Sequence, residues 1–188
     1  MQPSSKILII RHGEKPGVPI AANGIDIDGN DDPNSLTAAG WQRAHALVNL
    51  FHPTSGAPRA GLTMPNHVFA AANTGGDHSK RSIETVTPLA QSFNPRLTID
   101  QSIDATDITG IVEASTSAGG AVLVCWKHQH ILAIAQKLAP SALIRNKWPG
   151  NRFDMVWVFV LDTTGEYNFS QVPELLLQED ESNLIIVN

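Results

Sequence analysis

Hydrophobic and polar positions fall into short uniform runs separated by polar turns, the pattern of buried strands alternating with amphipathic helices. Residues 7–10, Ile-Leu-Ile-Ile, are four consecutive aliphatics, three of them β-branched, and predict a strand covered on both faces. Residues 121–126, Ala-Val-Leu-Val-Cys-Trp, repeat the pattern and predict a second long buried strand. Shorter runs at 67–71, 97–99, 155–161 and 168–172 predict further strands, and 184–187 is a last apolar segment whose place the pattern does not fix. Between these runs the spacing turns helical. After Thr37, a suitable N-cap, Trp41, Ala44, Leu47, Val48 and Phe51 make one apolar stripe. Ile83, Val86, Leu89 and Ala90 make a second, and residues 107–115 and 131–138, the latter bounded by Pro140, predict two more helices. The alternation predicts an α/β protein: a three-layer α/β/α sandwich around a largely parallel central sheet, one domain over residues 1–188.

Composition narrows the partners. A formal net charge of -5 argues against broad binding to nucleic acid or an anionic membrane, so any site for an anionic substrate must be local. Cys125 is the only cysteine, which excludes an internal disulfide and permits a reducing compartment. The first residues lack the basic, apolar and small-residue pattern of a signal peptide, and no apolar run is long enough to span a bilayer. The expectation is a soluble, cytoplasmic protein with no nucleic-acid or membrane partner.

The chemistry gathers where the strands end. In an open α/β sheet, ligands sit beyond the carboxyl ends of the strands, near a switch in strand order. There the first strand delivers Arg11-His12, the second leads to Arg81, and the strand at 121–126 delivers His128. Two arginines and two histidines from separate strand ends make an anion pocket on an otherwise acidic protein. The planar guanidinium fork suits tetrahedral phosphate oxygens, and its charge does not titrate away. Two competing motifs fail on spacing. The acidic stretch from Asp26 to Asp31 has its glycine at the fourth position of a calcium loop instead of the sixth and no glutamate at the twelfth. Gly75-Gly76 before Ser79-Lys80-Arg81 lacks the spacing of a nucleotide P-loop. Residues 15–35 then read as a solvated loop over the sheet end, and His45 and His52 as surface or satisfied histidines.

Taken in order, Ile-Ile-Arg11-His12-Gly13, Leu36-Thr37-x-x-Gly40-x-x-Arg43, Arg81-x-x-x-Thr85 and Val-Leu-Val-Cys-Trp-Lys-His128 resemble the motif order of the histidine phosphatase (phosphoglycerate mutase-like) superfamily, in its small phosphatase branch. The match runs over residues 6–135. The resemblance implies that His12 attacks phosphorus and becomes a transient phosphohistidine, that Arg11 and Arg81 hold the phosphoryl oxygens, and that His128 contributes a further donor. It implies no metal and no cofactor. One residue past the apolar strand is the family's usual place for the second histidine, which favours His128 over His130.

The chain departs from the family at two points: Asp77 stands where a serine is common four residues before Arg81, and Gln129 follows the second histidine instead of glycine or aspartate. An alcohol leaving group still needs a proton donor. Asp104 is the preferred candidate, with Asp107 and Glu14 as alternatives, and Asp154 is a candidate partner behind the site. The reading is therefore a phosphatase acting on a phosphomonoester or a protein phosphohistidine, its substrate a phosphorylated small molecule or phosphoprotein. A non-catalytic phosphate-binding member of the same fold, or a phosphoglycerate-type mutase, stands as the alternative. The chain length speaks against the mutase.

Overall fold

The computed structural model describes residues 3–18, 22–72 and 78–187. Six strands form one sheet: β1 (Lys6–Arg11), β2 (His67–Ala70), β3 (Ile99–Asp100), β4 (Ala121–Trp126), β5 (Met155–Leu161) and β6 (Tyr167–Pro173), in the order β3-β2-β4-β1-β5-β6. The first four are mutually parallel, while β5 runs antiparallel to β1 and pairs with β6 as a hairpin. The sheet is thus largely parallel with an antiparallel edge. Helices α1 (Ala38–Phe51), α2 (Arg81–Ser92), α3 (Ile108–Ser117) and α4 (His128–Leu138) cover it.

Alternation along β1 divides the core. Leu8 and Ile10 pack with Leu47, Phe51, Val86 and Leu89 of α1 and α2, whereas Ile7 and Ile9 pack with Ile111, Ile131 and Ile134 of α3 and α4. All four β1 aliphatics are fully buried, each worth about 1.5–3 kcal/mol on transfer from water. A central strand flanked by β4 and β5 and covered on both faces has no room for a polar residue until it ends, which is why the run stops only at Arg11 and His12. The helix after β1 goes to one face and the helix after β4 to the other. β1 and β4 are neighbours, so a crevice opens between their carboxyl ends.

The boundaries depart from expectation at three places. The strand expected over residues 97–99 forms at Ile99–Asp100, because the Leu97 N–H turns back to the Ala90 carbonyl. The helix expected from residue 131 begins at His128. Residues 184–187 add no strand. Ile185 is buried, and its backbone pairs with the side-chain amide of Gln171 instead of a strand ladder. The Thr37 N-cap forms as expected, its hydroxyl accepting the Gly40 N–H. His52 bonds Ser92 and stacks on Phe93, a satisfied histidine.

Candidate active site

Two glycines bring the turn after β1 against α1. A Cβ on Gly13 would lie 3.0 Å from the Gly40 carbonyl, and one on Gly40 would lie 2.5 Å from that of Glu14. Backbone therefore packs on backbone, and the Thr37 N–H bonds the Glu14 carbonyl at 3.0 Å. Within this turn His12 is only 5% exposed, with Nδ1 2.7 Å from the Gly13 carbonyl oxygen. A carbonyl can only accept, so Nδ1 carries the proton and Nε2 is left with its lone pair. Burial, then the Arg11 charge, hold the ring well below the ordinary histidine range, with Arg81 and His128 adding to the effect and the Gly13 bond opposing it. His12 is a neutral imidazole at pH 7.

Arg11 is fully buried. Its Nη1 donates to the carbonyls of Pro149, Gly150 and Arg152 at 3.3, 2.8 and 2.9 Å, and its guanidinium carbon lies 3.8 Å from the Phe153 ring centroid. Nε and Nη2 are buried with no hydrogen-bond partner among the described residues. Burial lowers its pKa to about 9 and Arg81 adds to this, while Glu14 opposes it. The group stays charged at neutral pH. Arg81 opens α2, where Nε, Nη1 and Nη2 donate to the Ser35 carbonyl, Ser79 Oγ and the Pro33 carbonyl at 3.3, 3.0 and 2.7 Å. Two backbone carbonyls and one hydroxyl thus fix the guanidinium at the start of α2. The segment that supplies two of them is fixed by Glu84, whose carboxylate accepts from Ser35 Oγ and the Leu36 N–H.

His128 is the first residue of α4, at the positive end of an 11-residue helix. Its Nδ1 is buried without a partner among the described residues, and a Cβ on Gly150 would sit 3.7 Å from its Nε2. Burial, then Arg11, Lys15 and His130, lower its pKa to about 4. The loop from Pro149 to Phe153 thus walls both Arg11 and His128. It is steadied from behind, as Asp154 binds Arg152 at 2.7 Å and accepts the Glu181 N–H.

The three candidate acids sit differently. Glu14 is buried, and Arg43 binds both of its carboxylate oxygens. Asp107 caps α3, accepting the Gly110 N–H at 2.8 Å. Asp104 extends the sheet end through a parallel bridge to Ala72; its Oδ1 accepts from the Thr106 N–H and hydroxyl, and its charge acts on His130. Asp77, which stands in the family's serine position, lies outside the described residues with the rest of 73–77. In the other comparison loop, the Asp26 carboxylate accepts the Asp28 and Asn30 N–H groups. Among the described residues no group of three or more His, Cys, Asp or Glu is placed to hold a metal ion, and no helix is long and apolar enough to cross a membrane.

Sequence reasoning passed over three contributors. Phe153 and the carbonyls of residues 149–152 were signalled only by a Pro-Gly turn before β5. Lys15 carries an ammonium that acts on His128 and is itself lowered by burial, then by Arg11 and Arg81. A cavity of about 180 Å³ is lined by Glu14, Thr37 and Phe153 and by charged groups that include Arg43, Arg152 and Asp180.

No family model matches the chain, and no curated relative matches it. Solved structures do. The protein histidine phosphatase SixA complexed with tungstate is 13% identical with a TM-score of 0.53, over 90% of this chain and 97% of that one. A phosphoglycerate mutase from Bacillus anthracis is 14% identical with a TM-score of 0.53, over 89% and 92%. Another from Plasmodium falciparum is 14% identical with a TM-score of 0.50, over 99% and 100%. The fold is the phosphoglycerate mutase-like fold that these structures share. Arg11 and His12 at the end of β1 and His128 just past β4 stand at the crevice between these two neighbouring strands.

Proposed function

We propose that the chain is a phosphatase that cleaves a phosphomonoester or a protein phosphohistidine through a phosphohistidine on His12. One observation carries the reading. Among the described residues, a fully buried arginine keeps two donor nitrogens, Nε and Nη2, unspent beside a neutral histidine whose Nε2 lone pair is free, and a second histidine there has an unspent buried Nδ1. Buried polar groups without partners are rare and expensive, and a tetrahedral oxyanion would satisfy them. The tungstate in the SixA neighbour is such an oxyanion.

In this mechanism Nε2 attacks phosphorus as the bond to the leaving group breaks. Arg11 and Arg81 bind the equatorial oxygens, and His128 donates to them as charge spreads. Water then attacks phosphorus, the N–P bond breaks, and inorganic phosphate leaves with His12 restored. Asp104 is the proposed proton donor to an alkoxide. Glu14 and Asp107 are committed to Arg43 and to the α3 cap, so the site favours leaving groups that need little protonation, such as an aryl oxide or an imidazole.

The test is turnover of an aryl phosphate in the presence of EDTA, with the phosphorylated residue trapped by rapid denaturation. His12→Ala is expected to abolish both turnover and labelling, and Asp104→Asn to slow an alkyl phosphate while sparing the aryl one. A His12→Ala protein that keeps most of its activity overturns the mechanism. Stoichiometric phosphate binding without turnover by the unaltered protein would instead mark a binding module.

A further inference from the structure

We propose that Thr85 is the positioning residue of the nucleophile, its hydroxyl tying the turn of α2 that carries Arg81 to the glycine that orients His12. The links are short and their directions are fixed by chemistry. Gly13 N–H can only donate, and it meets Thr85 Oγ1 at 2.8 Å. The Arg81 carbonyl can only accept, and Thr85 Oγ1 lies 2.7 Å from it. The single hydroxyl proton is therefore spent on Arg81, which presents an oxygen lone pair to Gly13. Gly13 in turn offers its carbonyl to His12 Nδ1–H at 2.7 Å. Three bonds connect the residue that carries one phosphate-binding guanidinium to the ring that attacks.

The need for such a link follows from the glycine. A side chain at position 13 would be crowded, its Cβ meeting the Gly40 carbonyl at 3.0 Å and the Gly40 Cα at 3.1 Å. Glycine is also the residue with the most backbone freedom. An untethered Gly13 beside the nucleophile could rotate its carbonyl away from Nδ1, and the imidazole would lose its bias toward the tautomer with a bare Nε2. Thr85 is fully buried, so no water competes for the Gly13 N–H. The hydroxyl supplies the restraint that the glycine lacks, and it does so from the same helix turn that holds Arg81. A nucleophile and a phosphate clamp fixed to one hydroxyl keep their spacing when the site fills.

The kinetic arm of the test rests on the phosphatase reading; the spectroscopic arm does not. In the unaltered protein, imidazole nitrogen resonances of isotopically labelled material are expected to show His12 as a single Nδ1–H tautomer at neutral pH. Thr85→Val keeps the shape and removes the hydroxyl. It is expected to mix the His12 tautomers and to lower kcat for an aryl phosphate about tenfold or more, with KM within about threefold, as loss of alignment predicts. Thr85→Ser is expected to restore both. If the valine variant does not fold, Thr85→Cys, with a weak sulfur acceptor in place of the oxygen, is read by the same measurements. A folded variant with the parental tautomer pattern and kcat within about twofold overturns the proposal, since Gly40 packing alone would then hold the turn. If the unaltered protein turns over no phosphate ester, the tautomer pattern alone decides, and a failed phosphatase reading stays distinct from a failed role for Thr85.

Discussion

Two arginines are buried near the end of β1, and they live in opposite environments. Arg11 is held by three backbone carbonyls and an aromatic face, with Nε and Nη2 unspent among the described residues. Arg43, 2% exposed, is enclosed by the carboxylates of Glu14, Glu174 and Asp180 at 2.7, 2.7 and 2.6 Å. Carbonyls take hydrogen bonds without cancelling charge, so Arg11 keeps a desolvated positive charge that only the Glu14 carboxylate, itself bound to Arg43, offsets among the described residues. Three carboxyl groups surround one guanidinium, Glu174 among them pushed up to about 8 by burial, and Arg43 has nothing left to offer a ligand. Burial alone does not separate an arginine with donors to spare from one that is fully committed. The charge of its partners does.

The comparison breaks or holds most visibly when each arginine is weakened in turn. Arg11→Lys keeps a charge that can reach the carbonyls but loses the fork. It is expected to cost about 10²–10³ in kcat/KM, on the scale of losing one transition-state donor, with little change in the urea midpoint. Arg43→Gln leaves buried carboxylates without a counter-charge. It is expected to destabilise the fold by about 3–5 kcal/mol in urea unfolding. An Arg43→Gln protein that unfolds with the parent, or an Arg11→Lys enzyme at full rate, would erase the distinction.

How much of this was legible in the sequence differs between the two environments. The ends of β1 and β4 were readable, because a strand buried on both faces admits only aliphatic residues until it reaches the edge, and Arg11, His12 and His128 mark that edge. Thr37, Gly40 and Arg43 were recognisable as a motif, but nothing in their spacing says that Arg43 faces Glu14, Glu174 and Asp180. Glu174 lies beyond β6, more than a hundred residues away, and pairing over that distance is set by the completed sheet. The grip on Arg11 was least legible of all. It is made by carbonyls of residues 149–152, and backbone acceptors carry no side-chain signature. Lys15 looked like any loop lysine, because only the folded turn brings it within charge range of Arg11, Arg81 and His128.

The two environments should also titrate in opposite senses. Burial pushes Glu174 from 4.5 up to about 8, against the pull of Arg43, so the folded protein holds a proton that the unfolded chain releases. Over that window the folded state binds more protons, and stability is expected to fall as pH rises from about 4.5 through about 8. Glu174→Gln, neutral throughout, should flatten this slope. His128 works the other way. Its pKa falls from 6.5 to about 4, the unfolded chain binds more protons between those values, and stability is expected to rise with pH across them. His128→Asn should remove that part of the rise. Urea midpoints measured from pH 4 to 9 on the three proteins would resolve the two slopes, and parallel curves for all of them would refute the assignment.

The smallest effect probes how far the Arg11 environment extends. Lys15 is more exposed than the arginines, and water and salt screen its ammonium. Lys15→Met is expected to raise KM for an aryl phosphate about three- to tenfold with kcat nearly unchanged, since a screened charge that attracts the dianion equally before and during reaction gives uniform binding. The difference from the parent should shrink as ionic strength rises, because the lost attraction was already screened there. The same variant is expected to let the pKa of His128 rise, as one of the charges that lowers it is gone. If KM, salt dependence and the His128 titration all stay at parental values, Lys15 is a solvated loop lysine. The positive charge that lowers His128 would then come chiefly from Arg11.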